Sequence, residues 1–249
     1  MYAAVIIPAR YESTRFPGKP LVPLKGKPML WHVYKQALGA QMASEVIIAT
    51  ESPLIMEAAR SFGAKAVMTS ASHASGTDRV AEAASVAVPQ ADVIVNLQGD
   101  EPLIRPEMID DVIMLMADSR ADMGTLAKKI ESPEQFEDPN VVKVVCGLDG
   151  YALYFSRAPI PYYRDGLPGA QAGPVYGYKH IGIYAYRKEG LKKLAGLKPV
   201  PLEEAEKLEQ LRALSNGMKI KVKETSFETI GVDTPEDLAK VDKWLSTYS

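Results

Sequence analysis

The sequence predicts an α/β fold built on a mixed, mostly parallel sheet with a small antiparallel excursion. Three observations carry this. Short apolar runs alternate with amphipathic stretches through the first half, the pattern of successive βαβ units. The second half changes to strand-like runs around a segment rich in Pro, Gly and Tyr. The chain has 249 residues, 47% hydrophobic and 24% charged, enough for one large α/β domain that buries a full core without staples.

Residues 3–7 read as the first strand, and 29–38 as a helix that follows Pro28. A strand at 46–49 leads to a helix at 53–62, where Pro53 suits the first turn. A third strand at 64–68, a helix at 78–88, a fourth strand at 92–97 and a helix at 106–117 complete this half. Strands follow at 141–145, 151–155 and 179–186, with the Pro-, Gly- and Tyr-rich stretch 159–174 between the last two. That composition predicts a long loop acting as a lid or an oligomer contact. Helices return at 202–215 and 235–247, with a strand at 220–224. No repeat, low-complexity tract or linker interrupts the chain, so a single domain over 1–249 with an embedded subdomain near 150–190 is expected.

Several function classes lose their support. The formal net charge of -2 leaves no global cationic field for nucleic acid. Cys146, the one cysteine, permits no disulfide within the chain, and in Val144-Val145-Cys146 it reads as a small core residue. No apolar run reaches the length of a membrane span, and Met1-Tyr2-Ala3-Ala4-Val5 enters a strand without a basic leader. A cytoplasmic protein with no membrane partner is expected. Gly18 and Gly26-Lys27 lack P-loop spacing, and Pro28 stands where a Ser or Thr would hold magnesium. GxGxxG and HExxH are absent as well.

The most informative stretch is 5–20. An apolar strand ends there in a turn-prone loop carrying Arg10, Arg15 and Lys19. Loops at the carboxyl ends of parallel strands are where open α/β sheets bind ligands. Guanidinium forks and a lysine point charge suit a polyphosphate, although a solvated basic loop is the alternative. In Asn96-Leu97-Gln98-Gly99-Asp100-Glu101-Pro102, alternation puts Asn96, Gln98 and Asp100 on one side, with Gly99 open to close approach of a ligand. Asp100 facing a cationic phosphate loop fits an intervening magnesium, while Gly-Asp-Glu-Pro is also ordinary turn composition.

In Gly231-Val232-Asp233-Thr234-Pro235-Glu236-Asp237-Leu238, Thr234 caps a helix, Pro235 opens it and Asp237 completes a capping box. Asp233 is then available as a second metal ligand or as a turn residue. Between Ser72 and Arg79 a polar loop feeds a helix N-terminus, able to read a base edge or hold an anion. A cap by Ser75 or Thr77 explains half of it, leaving His73 and Arg79, with His73 read as a surface residue. Further on, Arg157 follows a strand, and His180 and Tyr184 share a face opposite Ile181 and Ile183. Glu209 and Arg212 are either a surface pair or part of a polar face for an acidic, polyhydroxylated ligand, and His180 is either a ligand or a satisfied core histidine.

Together these motifs resemble the 3-deoxy-manno-octulosonate (Kdo) cytidylyltransferases. The resemblance runs through Ile-Pro-Ala-Arg-Tyr-x-Ser-Thr-Arg-Phe-Pro-Gly-Lys-Pro-Leu at 7–21, His-x-Ser-Gly-Thr-Asp-Arg at 73–79 and Gln-Gly-Asp-Glu-Pro at 98–102. It continues through Asn-x-Val-Lys-Val-Val at 140–145, Tyr-Ala-Leu-Tyr-Phe-Ser-Arg-Ala-x-Ile-Pro at 151–161 and His-Ile-Gly-Ile-Tyr at 180–184. Leu-Glu-Gln-Leu-Arg at 208–212 and Gly-Val-Asp-Thr-Pro-Glu-Asp-Leu at 231–238 complete it, while 162–178 fits no pattern.

The resemblance implies a nucleotide-diphospho-sugar transferase, Rossmann-like fold with helices on both faces of the sheet, in a homodimer whose contacts involve the subdomain near 150–190. It implies the reaction CTP + Kdo → CMP-Kdo + pyrophosphate, which activates the acidic sugar for lipopolysaccharide synthesis. Carried over residue by residue, it gives Pro8, Ala9, Arg10, Arg15, Lys19, Ser75, Gly76, Arg79 and Gln98 to the nucleotide. Gln98, Arg157, His180, Tyr184, Glu209 and Gln210 go to the sugar, and Asp100 and Asp233 to Mg2+. Arg10, Lys19, Asp100 and Asp233 are the expected catalytic set for in-line attack of the anomeric oxygen on the α-phosphorus, with a second metal as an option and no protein general base. The rivals are a cytidylyltransferase for sialic acid or 8-amino-Kdo and a noncatalytic nucleotide-sugar sensor. A glycosyltransferase is weaker, because Gly-Asp-Glu lacks the second Asp of a DxD motif.

Overall fold

The first strand, β1 (Ala3–Ala9), carries no charge and buries all seven of its residues, so it must be covered on both faces. The structure, a computed structural model, describes residues 1–12, 16–167 and 176–248. Contacts divide the chain into two units, Met1–Ile113 with Glu228–Ser249, and Met114–Phe227.

In the first unit β1 leads through a 3-10 turn (Lys19–Leu21) to a small hairpin, β2 (Pro23–Leu24) and β3 (Lys27–Pro28). Then come α1 (Met29–Leu38), β4 (Glu45–Thr50), α2 (Pro53–Ser61), β5 (Ala66–Met68), α3 (Gly76–Ala87), β6 (Val93–Asn96) and α4 (Pro106–Leu115). The strands lie in the order β6-β1-β4-β5 and every pairing is parallel. Ala9 pairs with Thr50 and Ile6 with Asn96, so the chain leaves β1, β4 and β6 along one edge. That edge carries Arg10, Glu51 and Gln98.

The second unit contains β7 (Met123–Ile130), α5 (Pro133–Glu137), β8 (Lys143–Cys146), β9 (Ala152–Ser156) and β10 (Gly177–Arg187). It continues with α6 (Lys188–Ala195), α7 (Pro201–Glu206), α8 (Gln210–Ser215) and β11 (Ile220–Glu224). β7 pairs antiparallel with β10 and parallel with β11, while β8 pairs antiparallel with both β10 and β9. This is the expected antiparallel excursion. The stretch near 150–190 falls inside this unit, with 168–175 outside the described residues.

The chain then re-enters the first unit and ends in α9 (Pro235–Tyr248). Leu238, Val241 and Leu245 recur at helical spacing, and with Trp244 they pack against Leu24, Met29, Leu103 and Val232. This cluster seats the C-terminal segment beneath the loop that carries Lys19. No helix among the described residues is long and apolar enough to cross a membrane.

Two expectations are corrected. The helix at 202–215 is two helices, because Lys207 takes a left-handed conformation (φ 54°) and ends α7. Cys146 is exposed at the end of β8, where the strand runs out into a turn, and is not a core residue. β7 was not expected at all: its alternation is obscured by burial on both faces, with Lys128 and Lys129 set among apolar residues.

Helix α6, also unforeseen, contains Gly190, where an added Cβ would lie 2.6 Å from the carbonyl oxygen of Asp122. Helix propensity alone favours alanine there by about 1 kcal/mol. The backbone clash reverses the sign: Gly190→Ala loses about 1–3 kcal/mol in chemical denaturation. A gain in stability would show that the two segments separate freely.

Candidate active site

The loop after β1 is shaped by one glycine. Gly18 is left-handed (φ 69°) and its N–H donates to the Tyr11 carbonyl at 2.9 Å, folding the loop back on itself. The next residue is Lys19, whose side chain is 15% exposed and turned inward. Its ammonium donates to Asp100 Oδ2 at 2.6 Å and Asp233 Oδ1 at 3.2 Å. Burial opposes the ammonium, but the charges and hydrogen bonds of the two carboxylates outweigh it and raise its pKa above the ordinary lysine value.

Asp100 and Asp233 are distant in sequence and are brought together by backbone contacts. The Val232 N–H donates to the Asp100 carbonyl at 2.9 Å. The capping box forms as expected: Thr234 Oγ1 accepts from the Asp237 N–H at 3.2 Å, and Asp237 Oδ2 accepts from the Thr234 N–H at 3.2 Å. Asp233 stands just before this cap with a carboxylate oxygen on Lys19. Gly99 differs from expectation in its reason: a Cβ there would lie 3.0 Å from the Pro8 carbonyl, so it is the β1 backbone that makes the close approach.

A cavity of about 420 Å³ in the first unit is lined by Pro8, Ala9, Arg10, Glu12, Lys19, Gly76, Gln98 and Asp100, among others. Ser75 sits beside it but is committed to the α3 cap, accepting from the Asp78 N–H at 3.1 Å while Asp78 accepts from its own N–H. Arg79 points elsewhere. It is 1% exposed, pairs with Glu51 at 2.8 Å and donates to Thr69 Oγ1. His73 is half-buried and hydrogen-bonded to Glu82. Arg15 lies outside the described residues.

In the second unit, the rings of His180 and Tyr184 lie 5.3 Å apart, and Phe155 meets His180 edge-on at 5.1 Å. The two residues share a face of β10, whose pairing with β7 shifts register between Ile181 and Tyr184. Thr125 Oγ1 lies 2.8 Å from the Ile183 carbonyl, 3.0 Å from that of Ile181 and 3.0 Å from His180 Nε2. One hydroxyl proton cannot serve three partners. Thr125 therefore donates to carbonyl oxygen and accepts from a protonated Nε2. Desolvation lowers the His180 pKa to about 3, which leaves Nδ1 as an acceptor on a neutral ring. Burial and the charge of Glu209, with Tyr186, keep the Tyr184 hydroxyl protonated.

Arg157 donates through Nε to the Glu206 carbonyl at 2.7 Å and through a terminal nitrogen to the Pro139 carbonyl at 3.0 Å. Gln210 is buried. The reading of Glu209 and Arg212 as a surface pair is corrected: Arg212 is 8% exposed and its main partner is Glu203, at 2.8 and 2.5 Å.

A nucleotide-sized cavity flanked by inward cations and carboxylates matches the outcome of comparison with known proteins. A family model described as cytidylyltransferase matches residues 4–220. The chain belongs to the cytidylyltransferase family. It is 51% identical to a protein of Thermodesulfovibrio yellowstonii named 3-deoxy-manno-octulosonate cytidylyltransferase, over 100% of both chains. It is 54% identical to a protein of the same name from Geobacter metallireducens, covering 100% of this chain and 99% of that one. A solved structure described as CMP:2-keto-3-deoxy-manno-octonic acid synthetase complexed with CTP matches at a TM-score of 0.92 and 42% identity, with both chains fully covered.

Within this cytidylyltransferase the donor set suits magnesium. Two carboxylates already share one cation, the Lys19 ammonium, and no group of three or more His, Cys, Asp or Glu side chains placed to hold a metal occurs among the described residues. Magnesium takes one or two carboxylates and fills its octahedron with phosphate oxygens and water. Sequence reasoning missed Glu12 and Glu51, whose position beside the cations becomes visible only when the ends of β1 and β4 are aligned.

The neutral His180 has a measurable consequence. Its folded pKa of about 3 lies below the unfolded value near 6.5, so protonation favours unfolding and stability falls as pH drops from about 6.5 towards 3. Between pH 7 and pH 5 the wild type is expected to lose about 1–2 kcal/mol more than His180→Gln in equilibrium denaturation. Equal losses would contradict the buried neutral ring.

Proposed function

We propose that the protein transfers the CMP group of CTP to the anomeric oxygen of Kdo, releasing pyrophosphate and giving CMP-Kdo for lipopolysaccharide biosynthesis. The cavity in which Arg10, Lys19 and Asp100 face one space beside Gly76 and Gln98 carries this reading. Relatives named for Kdo cytidylyl transfer match the chain along its whole length.

In the proposed reaction the anomeric hydroxyl oxygen bonds to the α-phosphorus of CTP. The bond from that phosphorus to the bridging oxygen breaks, its electron pair leaves with pyrophosphate, and the hydroxyl proton passes to water. Such a transfer is driven by positioning and electrostatics. Arg10 and Lys19 bind the phosphates and offset charge on the leaving group, with Arg15 assigned to the same loop by resemblance. Pro8, Ala9, Ser75, Gly76 and Gln98 shape the nucleotide side. Asp100 and Asp233 would hold magnesium, which when bound neutralises phosphate charge. With a metal on those carboxylates, the Lys19 ammonium would be available to phosphate oxygens.

His180 Nδ1 and the Tyr184 hydroxyl present one acceptor and one donor to a polyhydroxylated sugar, and Arg157, Glu209 and Gln210 complete the proposed sugar side of the second unit. The proposal extends to a cytoplasmic homodimer, on the strength of the same resemblance.

Incubation with CTP, Mg2+ and a panel of 2-keto acid sugars tests the reaction, read as pyrophosphate release and CMP-sugar mass. Kdo is expected to give CMP-Kdo at a rate that 8-amino-Kdo and sialic acid do not match. Absence of product with every sugar would overturn the reading in favour of a sensor. Asp100→Asn and Asp233→Asn are each expected to lower kcat by about 100-fold or more with a smaller change in CTP binding. Unchanged turnover in both variants would remove the metal assignment.

A further inference from the structure

Arg79 and Glu51 form a buried ion pair that the reaction itself does not use. Arg79 stands in the first turn of α3 and Glu51 directly after β4. The Arg79 guanidinium reaches Glu51 Oε2 at 2.8 Å and Thr69 Oγ1 at 2.5 Å. The other Glu51 oxygen, Oε1, accepts the backbone N–H of Tyr11 at 3.0 Å. One carboxylate thus joins a buried guanidinium to the first peptide of the cationic loop.

The restraint propagates along the loop through named bonds. Tyr11 is anchored by Glu51 through its N–H, and its carbonyl accepts the Gly18 N–H at 2.9 Å. Gly18 directly precedes Lys19, and Tyr11 directly follows Arg10. Both cavity cations are therefore attached to the segment that Glu51 pins. Arg10 also lies close enough for its charge to act on Arg79. A buried charge stripped of its partner is costly, and the nearest soft element is the loop.

We infer that Glu51, locked by Arg79, is a positioning residue that sets Arg10 and Lys19 for the triphosphate. Arg79 then acts through Glu51, which is a role distinct from touching the nucleotide. The inference rests on the nucleotide reading of the cavity.

The test compares Glu51→Ala, Glu51→Gln and Lys19→Met with the wild type in the full chain, measuring thermal midpoint, kcat and KM for CTP and for Kdo. Glu51→Ala is expected to raise the CTP KM about 10-fold or more, the scale of one charge-assisted hydrogen bond, with the Kdo KM within about two-fold. Glu51→Gln keeps an oxygen for the Tyr11 N–H and recovers part of the loss. If Glu51→Ala does not fold, the CTP KM of Glu51→Gln, raised with the Kdo KM unchanged, carries the test. A lowered midpoint with an unchanged CTP KM, or equal rises in both KM values, would overturn the positioning role. Lys19→Met separates the two readings. If it raises the CTP KM while the Glu51 variants do not, only the positioning role falls; if it too leaves the CTP KM unchanged, the nucleotide reading falls with it.

Discussion

The interaction on which the first unit depends is the Lys19 ammonium held between Asp100 and Asp233. Two carboxylates on one ammonium repel each other, with the Asp233 side chain 59% exposed and that of Asp100 31% exposed. A cation between them offsets that repulsion. Lys19 supplies it here, and three segments from the start, middle and end of the sequence are drawn to one point. The left-handed Gly18, the Val232–Asp100 backbone bond, the cap that fixes Asp233 and the apolar seat of α9 all serve that convergence.

The two units contribute different chemistry. The first offers charge: guanidinium, ammonium and carboxylates around one cavity, suited to a triphosphate and a metal. The second offers shape and neutral hydrogen bonding, with an uncharged imidazole and a protonated phenol stacked on one face of β10. Neutral groups of this kind discriminate by which donors and acceptors are satisfied.

Local signals were legible in the sequence wherever one residue type has one physical use. Pro235 after Thr234 and before Asp237 announced a capped helix, and the cap forms as read. The apolar run ending in Arg10 announced a buried strand opening into a cationic loop. Signals failed where meaning depends on a partner. Arg79 was left over by the α3 cap and went to the nucleotide by resemblance, yet its charge is answered by Glu51 at the end of another strand. Arg212 looked like half of a surface pair with Glu209, while Glu203 on the preceding helix is its main partner. β7 lacked alternation because both of its faces are covered, and the helix break at Lys207 has no glycine to mark it.

Crystals soaked with CTP and Mn2+, with the metal located by its anomalous signal, test the central claim most directly. The account predicts a manganese peak bridging Asp100 and Asp233, with Lys19 moved from the carboxylates to a phosphate oxygen. A peak away from both aspartates, with the Lys19 ammonium still between them, would contradict it.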